Sequence, residues 1–126
     1  MTLSPLGVGS ARVHVYLDQA GHGFWPYNPG PSVYLPELPF RLLSTLAFYA
    51  PETLIPYGTL ATVMYPDEVS DPYDGSHNKA IRAHLDRVLS LMEQKGWDRR
   101  VFEVRYATGV IVHARYFPRN TRIIWQ

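Results

Sequence analysis

The chain has 126 residues, enough for one domain with a real core, and its 46% hydrophobic and 18% charged content fits a folding sequence rather than a disordered one. It has no cysteine, which excludes disulfides, thiolate metal sites and cysteine nucleophiles. The formal net charge of +1 hides a split: residues 1–76 hold two basic residues against seven acidic ones, a net of −5, and residues 77–126 hold ten against four, a net of +6.

Residues 1–11 read as a flexible lead-in containing Gly and Pro. Val13-His-Val-Tyr-Leu17 alternates and is β-branched or aromatic, which predicts a strand. Turn signals at Gln19–Gly23 and Asn28–Pro31 separate it from short strands at Phe24-Trp25 and Ser32–Leu35, together a small antiparallel sheet. Leu38, Leu42, Leu43 and Leu46 then form an apolar stripe at helical spacing, with Pro36 and Pro39 tolerated near its start and Pro51 marking its end. Leu54-Ile55 is extended. A second helix follows with Pro56 in its first turn, Leu60, Val63 and Met64 on its face, and Pro66 after it. Residues 66–76 form an acidic, turn-rich loop. Ser76 or Asn78 is placed to cap a third helix that runs to about Gln94, with Ile81, Leu85, Val88 and Met92 inward and Gly96 behind it.

The opposite face of that helix carries the candidate chemistry. Taking Ile81 as zero, Arg82 falls at about 100°, Asp86 at about 140°, Lys79 at about 160° and Ser90 at about 180°. Such a face suits the major groove, where Arg and Lys read guanine and carboxylates read cytosine. An ordinary solvated helix face has the same pattern. Val101–Tyr106 and Val110–Tyr116 alternate around Ala107-Thr108-Gly109, which predicts a β-hairpin with Gly109 supplying a positive φ. Three helices followed by a hairpin is the order of a winged helix-turn-helix.

These segments resemble the OmpR/PhoB-type winged-helix domain, the DNA-binding output module of response regulators, here without a receiver domain. Residues 35–43 (LPELPFRLL) look like that family's L-T-x-x-E-F-x-L-L entry to its first helix. Residues 51–66 match its strand and second helix. Ile81, His84, Leu85, Arg87, Val88 and Met92 occupy positions of its recognition helix, and Thr108-Gly-Val110 resembles its wing. The likeness spans about residues 12–116. It departs where Thr108 replaces the wing arginine, where Ile111-Val112 replaces Gly-Tyr, and where Leu89-Ser-Leu91 replaces basic residues.

Residues 118–126 read as a C-terminal tail, open to extending the sheet, packing elsewhere or binding a partner. The resemblance implies an α+β winged helix-turn-helix over residues 12–117, with an N-terminal antiparallel sheet, three helices and a C-terminal hairpin wing. It implies a transcription regulator that binds double-stranded DNA, with a recognition helix at about 77–94 and a wing at 101–116. Lys79, Arg82 and Asp86 would face base edges, Asn78, Arg87 and Ser90 would sit at phosphates, and Arg105 and Thr108 would place the wing. A homodimer on repeated half-sites is a further expectation.

The acidic loop (Asp67, Glu68, Asp71, Asp74) lacks a calcium-loop pattern. In the resembled family this connection between the second and third helices can touch RNA polymerase, so the loop is the candidate contact for it, and it would also serve if the domain is instead a protein-docking module. The five histidines lack metal-ligand spacing, and His84 reads as a packing residue. No nucleophile motif is present, so neither catalysis nor a cofactor is expected. No apolar run reaches the roughly 18 residues of a membrane span, and the first residues lack a secretory pattern. A cytoplasmic protein without a membrane partner is expected.

Overall fold

The computed structural model describes residues 13–18, 23–25, 33–68, 71–117 and 121–125. Strands β1 (Val13–Asp18), β2 (Gly23–Trp25) and β3 (Val33–Tyr34) precede helix α1 (Glu37–Phe48). Strand β4 (Leu54–Pro56) leads directly into α2 (Tyr57–Met64), and α3 (Asn78–Glu93) follows the acidic loop. Then come β5 (Phe102–Arg105), β6 (Gly109–Val112) and β7 (Thr121–Trp125).

The α+β class with three helices holds, but the expected sheet arrangement is corrected in two places. The N-terminal strands do not form an antiparallel sheet of their own. They belong to a mixed four-stranded sheet, order β3-β2-β1-β7, in which β7 lies parallel to β1 with Val13 opposite Thr121 and Leu17 opposite Trp125. A parallel pair needs a long crossover, and here the whole helical segment supplies it. The residues called a tail therefore include a strand. Nor is the hairpin a free two-stranded wing: β4 joins it in a three-stranded antiparallel sheet, order β4-β6-β5. The predicted lead-in and the N-terminal turns lie outside the described residues.

Each helix is set by its apolar stripe. In α1, Phe40, Leu42, Leu43 and Leu46 are buried and Leu38 packs at the edge. Pro36 sits at the N-cap and Pro39 in the first turn, where backbone N–H groups lack intrahelical partners in any case. In α2 the buried set is Tyr57, Leu60, Ala61 and Met64, while Val63 is 41% exposed. The expected Val63 face is thus corrected: positions 57, 60, 61 and 64 share one side of the wheel, and Val63 stands outside it. Pro56 ends β4 and occupies the N-cap, rather than the first turn. In α3, Ile81, Leu85, Val88, Leu89 and Met92 are buried.

The N-cap of α3 is His77, not Ser76 or Asn78. The His77 carbonyl accepts from Ile81 N–H at 3.0 Å, and its ring lies 4.4 Å from that of Tyr65. At the other end Gly96, at φ 91°, closes the chain back as Trp97 N–H donates to Met92 O at 3.1 Å.

The acidic loop is fastened to α2 through a glycine. A Cβ on Gly58 would overlap the ring of Tyr73, whose hydroxyl lies 3.3 Å from Thr59 Oγ1. Gly58→Ala is expected to swing the exposed Tyr73 side chain outward, at a cost below about 1 kcal/mol because only a surface ring must move. Faster amide exchange around Asp71–Asp74, with an unchanged melting temperature, is the outcome to look for. A large drop in melting temperature would mean the ring cannot yield.

Candidate nucleic-acid interface

The sites named from sequence converge on α3 and on the tip of the β5–β6 hairpin. Lys79, Asp86, Arg87 and Ser90 are exposed along α3, as are Ala80 and Ala83 between them, so the face is smooth apart from its charges. Asn78 and Arg82 are half-buried.

Arg82 is the residue whose setting departs most from a free base-reader. Its Nη1 donates to the Tyr106 carbonyl at 3.1 Å, and its guanidinium lies 4.1 Å from the centroid of the Tyr106 ring and 5.9 Å from that of Tyr57. A guanidinium over tyrosine faces is held by the negative ring quadrupole. Arg82 therefore ties α3 to the hairpin tip. Tyr106, itself 75% exposed, was not among the residues named from sequence.

Asp86 is engaged as well. It pairs with Arg99, which also donates to Glu93 at 2.5 Å. Arg100 pairs with Asp98 at 2.7 Å and Arg105 with Glu103 at 2.8 Å. Exposed pairs of this kind contribute little to stability, but they decide the local field. Every carboxylate of the basic half is answered by a guanidinium. Lys79, Arg87 and Lys95 form no ion pair among the described residues, so their charges are uncompensated. His84, half-buried, is pushed below the usual histidine range by burial and then by Arg87.

The hairpin turn is fixed by backbone contacts. Thr108 N–H donates to Arg105 O at 3.0 Å, and Thr108 O accepts from Tyr57 N–H at 3.2 Å, which satisfies an orphan donor at the start of α2. Thr108 thus places the turn through its main chain. Gly109 has φ 159°, and its role is close approach rather than a left-handed turn: a Cβ there would overlap the carbonyl oxygen of Ile55 on β4. Between α3 and β5 runs an open groove of about 280 Å³, lined by Leu85, Leu89, Phe102 and Val104 together with Arg82, Asp86 and Arg99.

A further cluster lies at the foot of the hairpin. His113, with a side chain only 16% exposed, faces a carboxylate at each ring nitrogen: Glu52 Oε1 at 2.7 Å from Nδ1 and Glu103 Oε1 at 2.7 Å from Nε2. Glu52 also accepts from Ala114 N–H at 2.9 Å. It holds a positive φ of 67°, uncommon for a residue with a side chain, and its own N–H donates to Val112 O at 2.8 Å. The two carboxylates hold His113 above the ordinary histidine range, Glu103 first and Glu52 second. Its bond to His113 lowers Glu52, while Arg105 and then His113 lower Glu103.

The signs give a window. The His113 contribution to stability is present in full below the ordinary histidine value of about 6.5 and is lost as pH rises through its raised folded value. The Glu52 and Glu103 contributions are present above the ordinary carboxylate value of about 4.3 and are lost as pH falls through their lowered values. Thermal stability is expected to peak between those two ordinary values and to decline on the alkaline side. His113→Gln should flatten that alkaline limb in a melting series, and an unaltered limb would assign it to other groups.

Sequence reading named neither His113 nor Glu52. The hairpin register sets Glu103 and His113 diagonally across β5 and β6, so that pair was accessible from a correct register. Glu52 enters only through the turn before β4, for which local sequence carries no signal.

The acidic loop splits by role. Asp71 accepts from Tyr73 N–H at 3.0 Å and Asp74 from Ser76 N–H at 2.8 Å, so both shape turns. The bond from Ser76 lowers Asp74 below the usual range. Asp67 and Glu68 are exposed, and Glu68 adds to the effect of burial in raising Tyr65. No cluster among the described residues could hold a metal ion, and no described helix is long and apolar enough to cross a membrane.

A scan against protein-family models and a search of the curated proteins found no match for this chain. The functional reading therefore rests on the chemistry of α3 and the hairpin.

Proposed function

We propose that the protein is a transcription regulator that binds double-stranded DNA, with the exposed face of α3 toward the major groove and the β5–β6 hairpin against the neighbouring backbone. The observation that carries this reading is the pair of uncompensated cations, Lys79 and Arg87, on a helix face otherwise lined by Ala80, Ala83 and Ser90. Small side chains let a helix approach a groove closely, and free cations release counterions from phosphates. The pairing of all four nearby carboxylates with arginines supports the same reading, because it removes their repulsion for a polyanion.

Selection from a randomised duplex pool at two salt concentrations tests it. Enrichment of a discrete motif, with affinity falling steeply in salt, is expected. Arg82 refines the test. Arg82→Ala is expected to weaken specific binding by roughly 1–3 kcal/mol if the guanidinium also reaches a base. Arg82→Lys keeps the charge but loses the planar stacking on Tyr106. If lysine restores specific binding, Arg82 acts as a charge. If it restores only nonspecific binding, the clamp on the hairpin is what matters.

A second reading has its own support. Arg82 and Asp86, the residues best suited to read bases, are engaged by Tyr106 and Arg99, and the acidic loop with its exposed Tyr73 is suited to a protein such as RNA polymerase. No enrichment from the DNA pool at near-physiological salt would favour that docking role.

A further inference from the structure

The Glu52–His113–Glu103–Arg105 chain lies at the base of the hairpin that the DNA-binding reading places on the backbone. Its geometry fixes the protonation of its centre. Both ring nitrogens of His113 sit 2.7 Å from carboxylate oxygens, and carboxylates only accept. With both carboxylates ionised, a neutral ring would turn a lone pair toward one of them, so the imidazolium is the form that satisfies both contacts. Glu103 divides itself between two cations: Oε1 accepts from His113 Nε2, and Oε2 accepts from Arg105 Nε at 2.8 Å. Arg105 is more than half exposed, at 56%, so its guanidinium can also turn toward solvent.

Loss of the His113 proton changes this division. One ring nitrogen must abandon its carboxylate. If it leaves Glu103, the full charge of that carboxylate falls on Arg105, and pulling Arg105 away to a phosphate becomes more costly. If it leaves Glu52, that residue keeps its bond from Ala114 N–H but loses its bridge to the sheet. Either way one positive charge disappears from the hairpin base. The other groups at the cluster are Tyr116, whose ring lies T-shaped to that of His113 with centroids 6.3 Å apart, and Arg115, which acts on Glu52. Arg100 stacks on the far part of this cluster, 4.5 Å over Tyr116, and is paired with Asp98. None of these offers a second carboxylate to take the place of Glu103.

We propose that His113 is a positioning residue for Arg105: protonated, it shares Glu103 and leaves Arg105 available to a DNA phosphate, so DNA affinity is coupled to proton uptake. The proposal rests on the DNA-binding reading above. Binding strengthens as pH falls and weakens as pH rises, and a single linked proton limits the change to at most about tenfold per pH unit.

The test uses the full chain, a selected duplex and the nitrogen-15 signals of the free protein. Wild-type affinity is expected to be several-fold higher at pH 6 than at pH 8.5. His113→Gln should lose this dependence and bind as the wild type does at high pH. Glu103→Gln, which removes the competing charge, should bind more tightly than the wild type at pH 8.5 and show a weaker pH dependence. In the free protein the Arg105 Nε–H signal should move with the His113 ring titration and stop moving in His113→Gln. An Arg105 signal that ignores the His113 titration, or a pH dependence that survives in His113→Gln, overturns the proposal and leaves DNA binding intact. Absence of DNA binding at both pH values, with the Arg105 signal still following His113, overturns the DNA reading and with it the role of the coupling in DNA affinity.

Discussion

Reversing the two free cations of α3 together, Lys79→Glu with Arg87→Glu, is expected to lower affinity for duplex DNA at least about tenfold at near-physiological salt and to make the salt slope shallower by about 2. Both side chains are exposed and unpaired among the described residues, so no contact of the fold is lost with them. Lys79 stands in the first turn of α3, where a carboxylate is favoured by the helix dipole, so the helix itself should not weaken. The melting temperature should therefore stay within a degree or two while binding collapses. Fluorescence anisotropy across a salt series, beside a melting curve, separates the two effects. Lys95→Glu, beyond the end of the helix, serves as the control and should cost much less. Equal losses from all three would point to diffuse electrostatic attraction rather than a docked helix, and no loss would remove α3 from the interface.

Gly109→Ala is expected to give the largest stability effect of any single methyl addition at the site, about 2–4 kcal/mol. The added carbon would meet a backbone carbonyl, that of Ile55, rather than a side chain that can rotate away. Ile55 is 1% exposed and paired with Val110, and Gly109 pairs with both Pro56 and Arg105, so the clash falls at the junction of all three strands of the sheet. Relief requires β4 and β6 to part, which also breaks the bond from Tyr57 N–H to Thr108 O and frees the hairpin turn from α2. Chemical denaturation reads the stability change directly. A cost below about 1 kcal/mol would show that the strands separate easily and that the hairpin is less rigidly placed than its contacts imply. The contrast with Gly58→Ala is instructive, because there the obstacle is a ring at the surface.

The helical part of the architecture was legible from residues alone. Leu42, Leu43 and Leu46 in α1, and Ile81, Leu85, Val88 and Met92 in α3, are buried because apolar side chains at three- and four-residue spacing must share one face. Prolines 36, 51 and 66 and Gly96 bounded the helices for equally local reasons, the missing amide donor and the freedom to take positive φ. The exposed polar face of α3 follows from the same geometry, so Lys79, Asp86 and Ser90 were correctly set on the outside. The hairpin was legible as two alternating runs around a turn, though its strands are shorter than the pattern suggested. Residues 114–116 form a 3₁₀ turn instead, where the Tyr116 and Phe117 N–H groups bond back to His113 and Ala114 carbonyls.

What each polar residue touches was decided only by the fold. Helical spacing put Arg82 and Asp86 on the polar side of α3, but the packing of α3 beside the hairpin brought Tyr106 under Arg82, and the turn after α3 brought Arg99 to Asp86. The parallel pairing of β7 with β1 and the insertion of β4 beside β6 join segments far apart in the chain, and strand alternation says which face a residue takes but not which edge its strand will find. The His113 cluster unites a turn residue with a carboxylate 51 positions later on β5 and an imidazole 61 positions later beyond β6. Periodicity is a property of one segment, set by backbone geometry, and is written in the sequence. Partnership across segments depends on how sheets and helices settle against one another, and that is where the charges of this protein acquire their roles.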